Sequence, residues 1–150
     1  MSIIRITKHF DFETAHALYG YDGKCKNIHG HSYQLFVTVI GTPINDANHV
    51  KNGMVIDFGD LKKIVKSEIV DVFDHATVLN ANSPHKELAD KIESHSSRVI
   101  LVDYQPTSEN MVIDFADKIS KKLPKSVQLH SLKLYETNNS YAEWFATDQS

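Results

Sequence analysis

The chain has 150 residues, of which 41% are hydrophobic and 23% are charged, and its formal net charge is −3. This size and composition predict one globular domain over residues 1–150. The slightly negative charge, spread along the chain, excludes the basic patch of a nucleic-acid binder. No apolar run approaches the ~20 residues that cross a bilayer, and no signal-peptide pattern opens the chain, so no membrane partner is expected. The single cysteine allows no internal disulfide, and a cytoplasmic location is the expectation.

The N-terminal third predicts two strands of alternating pattern. From Ile3 to His16 the apolar residues recur at every second position, with only Lys8 out of place. The segment from His29 to Gly41 repeats the alternation, so His29 and His31 continue the apolar face of their strand. The connection between the two strands is loop-like and carries Cys25.

The middle of the chain predicts two helices. After a loop over residues 42–52, Asp57 or Asp60 is a candidate helix cap. One apolar stripe follows at helical spacing: Leu61, Ile64, Val65, Ile69 and Val72. A second helix is expected to start near residues 107–109, after Pro106, and to end before Pro124. The stretch between the helices reads as irregular, apart from a short apolar run at residues 99–102.

The C-terminal segments at residues 127–136 and 141–145 predict two more strands joined by a turn. The element order is therefore ββααββ. This order predicts an α+β fold in which a four-stranded antiparallel sheet carries two helices on one face. The edge strands of such a sheet are surfaces that oligomerisation would cover.

Three histidines suggest a metal site. His29 and His31 share one face of a strand, and His16 ends the strand before them. Three neutral imidazoles with an open fourth position are typical of catalytic zinc, whereas structural zinc sites usually close with cysteines. The alternative is that these histidines are ordinary surface or core polar groups, because nine histidines in one chain produce some pairs two apart by chance. The histidines without such context are interpreted as surface residues: His9, His49, His85, His95 and His130.

Proton-transfer groups lie near these histidines or at element ends. Cys25 is flanked by Lys24 and Lys26, and positive charge favours a thiolate over a thiol buried as a small hydrophobe. Asp74 directly precedes His75, and a carboxylate beside an imidazole orients it and raises its basicity. The alternative is that His75 only complements a helix dipole.

Two glutamates have distinct interpretations. Glu136 falls on the apolar face of its strand, where a carboxylate is costly without a donor. A pterin or guanine edge offers N–H and NH₂ groups together and suits a bidentate acceptor, while an internal salt bridge is the alternative. Glu109 lies in the first turn of a predicted helix, where a negative charge is favourable in itself.

Six segments in order along nearly the whole chain match one known family. They are residues 12–16, 25–33, 53–58, 74–75 together with 79–80, 106–110 and 135–137. With these segments, the chain resembles the 6-pyruvoyl-tetrahydropterin synthase/QueD family. The resemblance implies a tunnelling fold (T-fold), in which subunit sheets close into a barrel, typically in a homohexamer with active sites at subunit interfaces.

The resemblance also implies residue roles and a Zn²⁺ cofactor. It assigns zinc to His16, His29 and His31, proton transfer to Cys25, Asp74 and His75, and the pterin pocket to Glu136, Thr107, Ser108 and Glu109. Three residues separate Cys25 from His29, a spacing that resembles the queuosine-pathway members, which make 6-carboxytetrahydropterin. The expected activity is conversion of 7,8-dihydroneopterin triphosphate to 6-carboxytetrahydropterin, acetaldehyde and triphosphate.

Other functions remain open from the sequence. The first alternative is 6-pyruvoyl-tetrahydropterin synthase, and the second is a non-catalytic zinc-binding module. A zinc hydrolase ranks third, because His-Glu-x-x-His is absent from the sequence. Imidazole ligands would also suit nickel, copper or iron. Lys24 and Lys26 are the candidates for contacting the triphosphate, and the role of the loop from Asn45 to Asn52 stays open.

Overall fold

The computed structural model describes residues 1–95 and 97–150. A six-stranded mixed sheet has the strand order β4-β3-β1-β2-β5-β6. The strands are β1 (Ile4–His16), β2 (His29–Gly41), β3 (Ala76–Asn80), β4 (Val99–Val102), β5 (Gln128–Thr137) and β6 (Ser140–Phe145). The helices are α1 (Phe58–Val65), a π-helical segment (Lys66–Val70), α2 (Asp71–Phe73), α3 (His85–Glu93) and α4 (Ser108–Ser120), with 3-10 turns at Lys24–Lys26 and Ala146–Asp148.

The β1–β2 hairpin is the longest pairing in the sheet and confirms the two alternating strands. The strands pair antiparallel from Ile4 opposite Gly41 to His16 opposite His29. The alternation buries Phe12, which is 2% exposed, and Tyr33, which is fully buried, on one face. The hairpin therefore carries the core at its centre and the three candidate ligands at one end.

The first helical region confirms the apolar stripe at Leu61, Val65 and Ile69, but the prediction of Val72 is wrong, because Val72 is 37% exposed and its neighbour Phe73 faces the core. Of the two candidate caps, Asp57 is the one observed. Asp57 is the N-cap of α1, and its side chain accepts a hydrogen bond from the Gly59 amide at 2.6 Å. Helix α1 runs through the π-helical segment into α2 without a break. Four residues spaced four apart face the core with no exposed surface: Leu61, Val65, Ile69 and Phe73.

The prediction of a four-stranded antiparallel sheet with two helices on one face is wrong, although the α+β class is confirmed. Strands β3 and β4 extend the sheet, and β3 pairs parallel with both β1 and β4. Strand β3 is short and buried on both faces, so it shows no alternation that could reveal it. Val78 belongs to the main core, whereas its neighbour Leu79 packs with Ala89 of α3. Because successive strand side chains point to opposite faces, α3 covers the face opposite the main core.

The C-terminal half confirms the last helix and hairpin. Thr107 is the N-cap of α4, where its hydroxyl accepts a hydrogen bond from the Asn110 amide at 3.1 Å. Strand β5 pairs antiparallel with β2 on one side and β6 on the other, which brings Glu136 beside the hairpin end. In the described part of the chain, none of the helices has the length and apolar character needed to cross a membrane.

Candidate functional site

The three predicted metal ligands meet at the open end of the β1–β2 hairpin. His16 lies opposite His29 in the register, and His31 lies opposite Thr14, so all three imidazoles project from the core face. His16 is almost completely buried, and the other two rings are partly exposed. Glu136 on β5 joins them and completes a group of four potential ligands.

The ligand atoms of this group are spaced as a small metal ion requires. His16 Nε2 lies 3.1 Å from His29 Nε2, and Glu136 Oε1 lies 2.9 Å from His31 Nε2. One ligand atom from each of the four residues fits within a mutual spacing of 4.8 Å. Tetrahedral zinc with Zn–N bonds near 2.0–2.1 Å places its ligand atoms about 3.3 Å apart. The observed spacing is therefore close to that of a four-coordinate site.

Hydrogen bonds outside the group fix the ring orientations. His16 Nδ1 donates to the Pro106 carbonyl at 2.6 Å, and His29 Nδ1 donates to the Asn27 carbonyl at 2.7 Å. A carbonyl can only accept, so these bonds place the protons on Nδ1 and leave the Nε2 lone pairs facing the group. His31 Nε2 is buried without a well-aligned hydrogen-bond partner. Two lone pairs directed at one point, beside a buried His31 Nε2 that makes no well-aligned hydrogen bond, fit a bound cation.

The electrostatics favour the metal-binding protonation states of His31 and Glu136. Burial lowers the pKa of His31, although the Glu136 carboxylate opposes this shift. The contact between His16 Nε2 and Glu136 Oε1, at 3.3 Å, is the largest cause that lowers the pKa of Glu136, to about 2. Metal ligands must be neutral imidazoles and ionised carboxylates, and these shifts favour both forms at neutral pH. Burial also raises the pKa of Tyr33, which lies behind His16 and stays a neutral phenol.

Glu136 occupies a position between the metal group and the predicted pterin pocket. Its Oε1 faces the histidines, and its Oε2 accepts a hydrogen bond from the buried Ser108 hydroxyl at 2.9 Å. A cavity of about 410 Å³ opens on the far side, lined by Ser108, Glu109, Glu136 and Tyr141 among others. The structure thus brings three of the four predicted pterin-pocket residues together, while Thr107 caps α4 instead of lining this cavity.

Cys25 is held close to the metal group but is not one of its four ligands. It lies in the 3-10 turn that precedes β2, and its side chain is partly buried. The Leu18 amide donates to the Cys25 carbonyl at 2.9 Å and ties this turn to the end of β1.

Asp74 and His75 lie beside a second cavity on the other side of the hairpin end. This open cavity of about 590 Å³ is lined by Glu13, His31, His75 and Arg98, among others. Asp74 Oδ1 accepts a hydrogen bond from the Glu13 amide at 2.8 Å and lies 3.1 Å from His75 Nδ1. The backbone bond from Glu13 is the largest cause that lowers the pKa of Asp74. An ionised Asp74 beside Nδ1 leaves Nε2 of His75 free to accept a proton.

His75 has a backbone conformation that is rare for its residue type. Its φ is +60°, and no other non-glycine residue within 1–95 and 97–150 has a positive φ. Glycine usually occupies this left-handed position after a helix, because a Cβ costs roughly 1–2 kcal/mol there. An imidazole retained at such a cost makes the Asp74–His75 turn a candidate functional position.

The strain at His75 gives a stability prediction. We expect the His75→Gly variant to have a higher melting temperature than the matched His75→Ala variant, because only glycine relieves the left-handed strain. A relief of about 1 kcal/mol corresponds to roughly 2–4 °C in a domain of this size. Thermal unfolding followed by circular dichroism measures the difference. Equal melting temperatures for the two variants would contradict a strained turn.

Two groups of the site could not be found from sequence patterns. The Pro106 carbonyl orients His16 across 90 positions of the chain, and a backbone acceptor leaves no side-chain signature. Arg98 contacts the Asp74–His75 turn from the start of β4, a strand that the sequence did not predict. The only available signal for Arg98 was its rarity, since Arg5 is the only other arginine in the chain.

The chain is similar to known proteins over almost its entire length. The family described as 6-pyruvoyl tetrahydropterin synthase matches residues 5–146. The 6-carboxy-5,6,7,8-tetrahydropterin synthase of Haemophilus influenzae is 35% identical over 143 residues, which cover 95% of this chain and 99% of that protein. The enzyme of the same name from Rickettsia bellii is 33% identical, with 94% and 99% covered. The 6-pyruvoyl tetrahydrobiopterin synthase of Pongo abelii is 31% identical, with 91% and 87% covered.

Solved structures have the same fold. The 6-pyruvoyl tetrahydropterin synthase of Caenorhabditis elegans superposes with a TM-score of 0.68 at 25% identity, covering 97% of each chain. The corresponding enzyme of Plasmodium falciparum gives a TM-score of 0.71 at 19% identity, over 96% of this chain and 98% of that one. The second likeness concerns the fold alone, because its sequence identity is low.

Proposed function

The chain belongs to the 6-pyruvoyl tetrahydropterin synthase family, and on that basis we propose that it is a zinc-dependent 6-carboxy-5,6,7,8-tetrahydropterin synthase. It would convert 7,8-dihydroneopterin triphosphate and water to 6-carboxytetrahydropterin, acetaldehyde and triphosphate. This is a carbon–oxygen and carbon–carbon lyase reaction that would serve queuosine biosynthesis. The observation that carries the proposal is the group of three imidazoles beside Glu136, in a chain similar to bacterial enzymes of that name.

His16, His29 and His31 would hold the zinc ion, with Glu136 Oε1 adjacent. The bound ion supplies Lewis-acid polarisation of the hydroxyl oxygens on the substrate side chain. The protein's part is orientation: the Pro106 and Asn27 carbonyls hold two imidazoles in the Nδ1–H tautomer. Burial also lowers the pKa of His31, which favours the neutral ring that a metal ligand requires.

The pterin ring would bind in the 410 Å³ cavity, where Glu136 and Ser108 present polar atoms. An ionised Glu136 offers two acceptor oxygens, and a pterin edge offers adjacent N–H and NH₂ donors. Glu109 lines the same cavity, and Thr107 would contribute by fixing the start of α4. This arrangement places the side chain of the substrate between the pterin pocket and the histidine group.

Cys25 and the Asp74–His75 pair would move the side-chain protons. Cys25 thiolate would remove a proton from a carbon that bears a hydroxyl group, and triphosphate would leave with the electron pair of its C–O bond. His75, oriented by Asp74, would accept and return protons on the opposite side. The hydroxyl-bearing carbon next to the ring would lose its proton and become a carbonyl, while the two electrons reduce the ring C=N bond, which takes up two protons. Water would then add at that carbonyl. Cleavage of the adjacent carbon–carbon bond, with a proton given to the departing two-carbon fragment, would yield a carboxylate and acetaldehyde.

A hexamer with T-fold barrels is part of the same proposal. The sheet has two unpaired edges, β4 and β6, in the isolated chain. Unpaired edges are normally covered, and closure of sheets from several subunits would remove them. The 590 Å³ cavity opens to solvent beside His31 and His75, so a neighbouring subunit would complete its wall.

The second candidate is 6-pyruvoyl-tetrahydropterin synthase, favoured by the 31% identity to the Pongo abelii enzyme. This reaction would share the metal group, the pterin pocket and triphosphate elimination, and it would stop before carbon–carbon cleavage. The non-catalytic metal-binding module ranks below both, because a purely structural metal site does not need the Asp74–His75 pair beside an open cavity.

Product analysis tests the proposal directly. Zinc-loaded protein is incubated with 7,8-dihydroneopterin triphosphate, and the products are identified by mass spectrometry. We expect 6-carboxytetrahydropterin and acetaldehyde in equal amounts. A product of 6-pyruvoyl-tetrahydropterin without acetaldehyde would move the assignment to the second candidate. Zinc-loaded, folded protein that converts no dihydropterin would leave only the metal-binding module.

A further inference from the structure

Arg98 makes an unusual set of contacts with the turn that carries Asp74 and His75. Its guanidinium donates to the carbonyls of Asp74 and Val72, each at 2.7 Å, and to that of Asp71 at 3.3 Å. These carbonyls belong to the last turn of α2 and its cap, where a helix leaves its acceptors without partners. One side chain therefore satisfies the open end of the helix immediately before His75.

The contacts of Arg98 are to backbone groups rather than to carboxylates. Within residues 1–95 and 97–150, no Asp or Glu lies within ion-pair distance of its guanidinium. The planar guanidinium places several N–H donors in a fixed fork, whereas a lysine ammonium presents one point charge on a flexible stem. Arginine can thus bridge three carbonyls at once and hold their spacing.

The backbone of Arg98 is itself anchored in the sheet. The Arg98 carbonyl accepts a hydrogen bond from the Thr77 amide at 3.0 Å, and the next residue, Val99, pairs with Thr77. Strand β3, which contains Thr77, begins directly after His75. Arg98 therefore connects both flanks of the Asp74–His75 turn, the helix end by its side chain and the strand by its backbone.

The turn between these two anchors needs external support. His75 is held at φ +60°, where its Cβ is unfavourable. Its amide donates to the Glu13 carbonyl at 2.6 Å, and the Glu13 amide donates to Asp74 Oδ1 at 2.8 Å. These two bonds fix the turn against β1, and the guanidinium of Arg98 fixes it against α2.

We propose that Arg98 is a positioning residue, which holds the Asp74 carboxylate against His75 Nδ1 and so sets the tautomer and direction of the imidazole. The role of His75 in proton transfer rests on the function proposed above, whereas the tautomer itself does not. Arg98 bonds the backbone carbonyl of Asp74 and would act on the imidazole of His75 through that residue. Strand β4 begins at the next residue, Val99, and its pairing with β3 places Arg98 beside the end of α2.

Nitrogen-15 NMR of the histidine side chains tests the proposal in the absence of substrate. In the wild-type protein we expect His75 as the Nδ1–H tautomer, and in the Arg98→Ala variant a shift toward the Nε2–H form. Arg98→Lys should give an intermediate ratio, because an ammonium reaches fewer of the three carbonyls. Arg5→Ala is the matched control, since Arg5 lies on β1 at the end opposite the site and should leave the ratio unchanged.

Kinetics on the same variants separate positioning from general stability. We expect Arg98→Ala to lower kcat at least 10-fold, while KM and bound zinc change less than 3-fold, and Arg98→Lys to recover part of kcat. Folded Arg98→Ala protein with the wild-type tautomer and wild-type kcat would overturn the proposal. If the wild-type protein turned over no dihydropterin, the proposed function would fail, but the tautomer shift alone would still decide the role of Arg98. Should Arg98→Ala not fold, the tautomer and kcat of Arg98→Lys decide in the same way.

Discussion

Replacing His29 with alanine is expected to weaken zinc binding by more than 100-fold and to abolish turnover, with little loss of folded protein. His29 contributes one of the three imidazoles whose Nε2 atoms face each other, and the metal group would keep only two. Loss of a ligand weakens a site more than loss of an outer hydrogen bond, which itself costs about 10–100-fold. The ring of His29 is partly exposed, so its removal leaves no buried cavity. Metal analysis after dialysis, with a chelator competition, measures the change.

The matched control for this variant is His95→Ala. His95 is exposed and lies beyond the end of α3, outside the metal group. We expect that control to bind zinc as the wild-type protein does. Wild-type zinc affinity in the His29 variant would refute the metal group as drawn from His16, His29, His31 and Glu136.

Replacing Cys25 with alanine is expected to lower kcat by about 10²–10⁴-fold, the range typical of a lost acid–base group. Bound zinc and melting temperature should stay at wild-type values, because Cys25 is not among the four ligand residues. Steady-state kinetics measure the loss of turnover, and metal analysis and thermal unfolding measure the two properties that should not change.

Asp22→Ala is the control for damage to this loop, because Asp22 is exposed and lies two positions before the same 3-10 turn. Its alanine variant should keep most of the turnover, since Asp22 has no proposed role in the site. Full activity of the Cys25 variant would remove the thiol from the mechanism. Zinc loss in the Cys25 variant would instead assign the sulfur to the metal group.

The β1–β2 hairpin and its histidines could be predicted because their determinants are local. Alternation over 13 residues in each strand identified both strands, and it also placed the histidines on the core face. His16 and His29 then come together because an antiparallel hairpin brings the end of one strand to the start of the next. The assignment of Glu136 to the pterin pocket rests on resemblance and remains a prediction.

The sheet edge formed by β3 and β4, and helix α3, could not be predicted for identifiable reasons. A five-residue strand buried on both faces has no polar alternation, and a parallel partner is chosen by tertiary packing. Helix α3 buries only Ala89 completely, so its apolar stripe is too weak to stand out from an irregular segment. The contacts of Arg98 depend on the pairing of β4 with β3, so they could not be predicted from the sequence either.

The π-helical segment at Lys66–Val70 sets the angular phase at which the helix delivers Asp74. An α-helix turns about 100° per residue, so residues spaced four apart drift by about 40° at each step and about 120° over three steps. Leu61, Val65, Ile69 and Phe73 nevertheless all face the core, because the wider π turn unwinds the helix and absorbs the drift. The π turn therefore accommodates one extra residue without rotating the end of the helix. Deleting one residue from this segment would restore α-helical geometry and leave Asp74 on its present face, whereas an inserted residue would rotate Asp74 by about 100°.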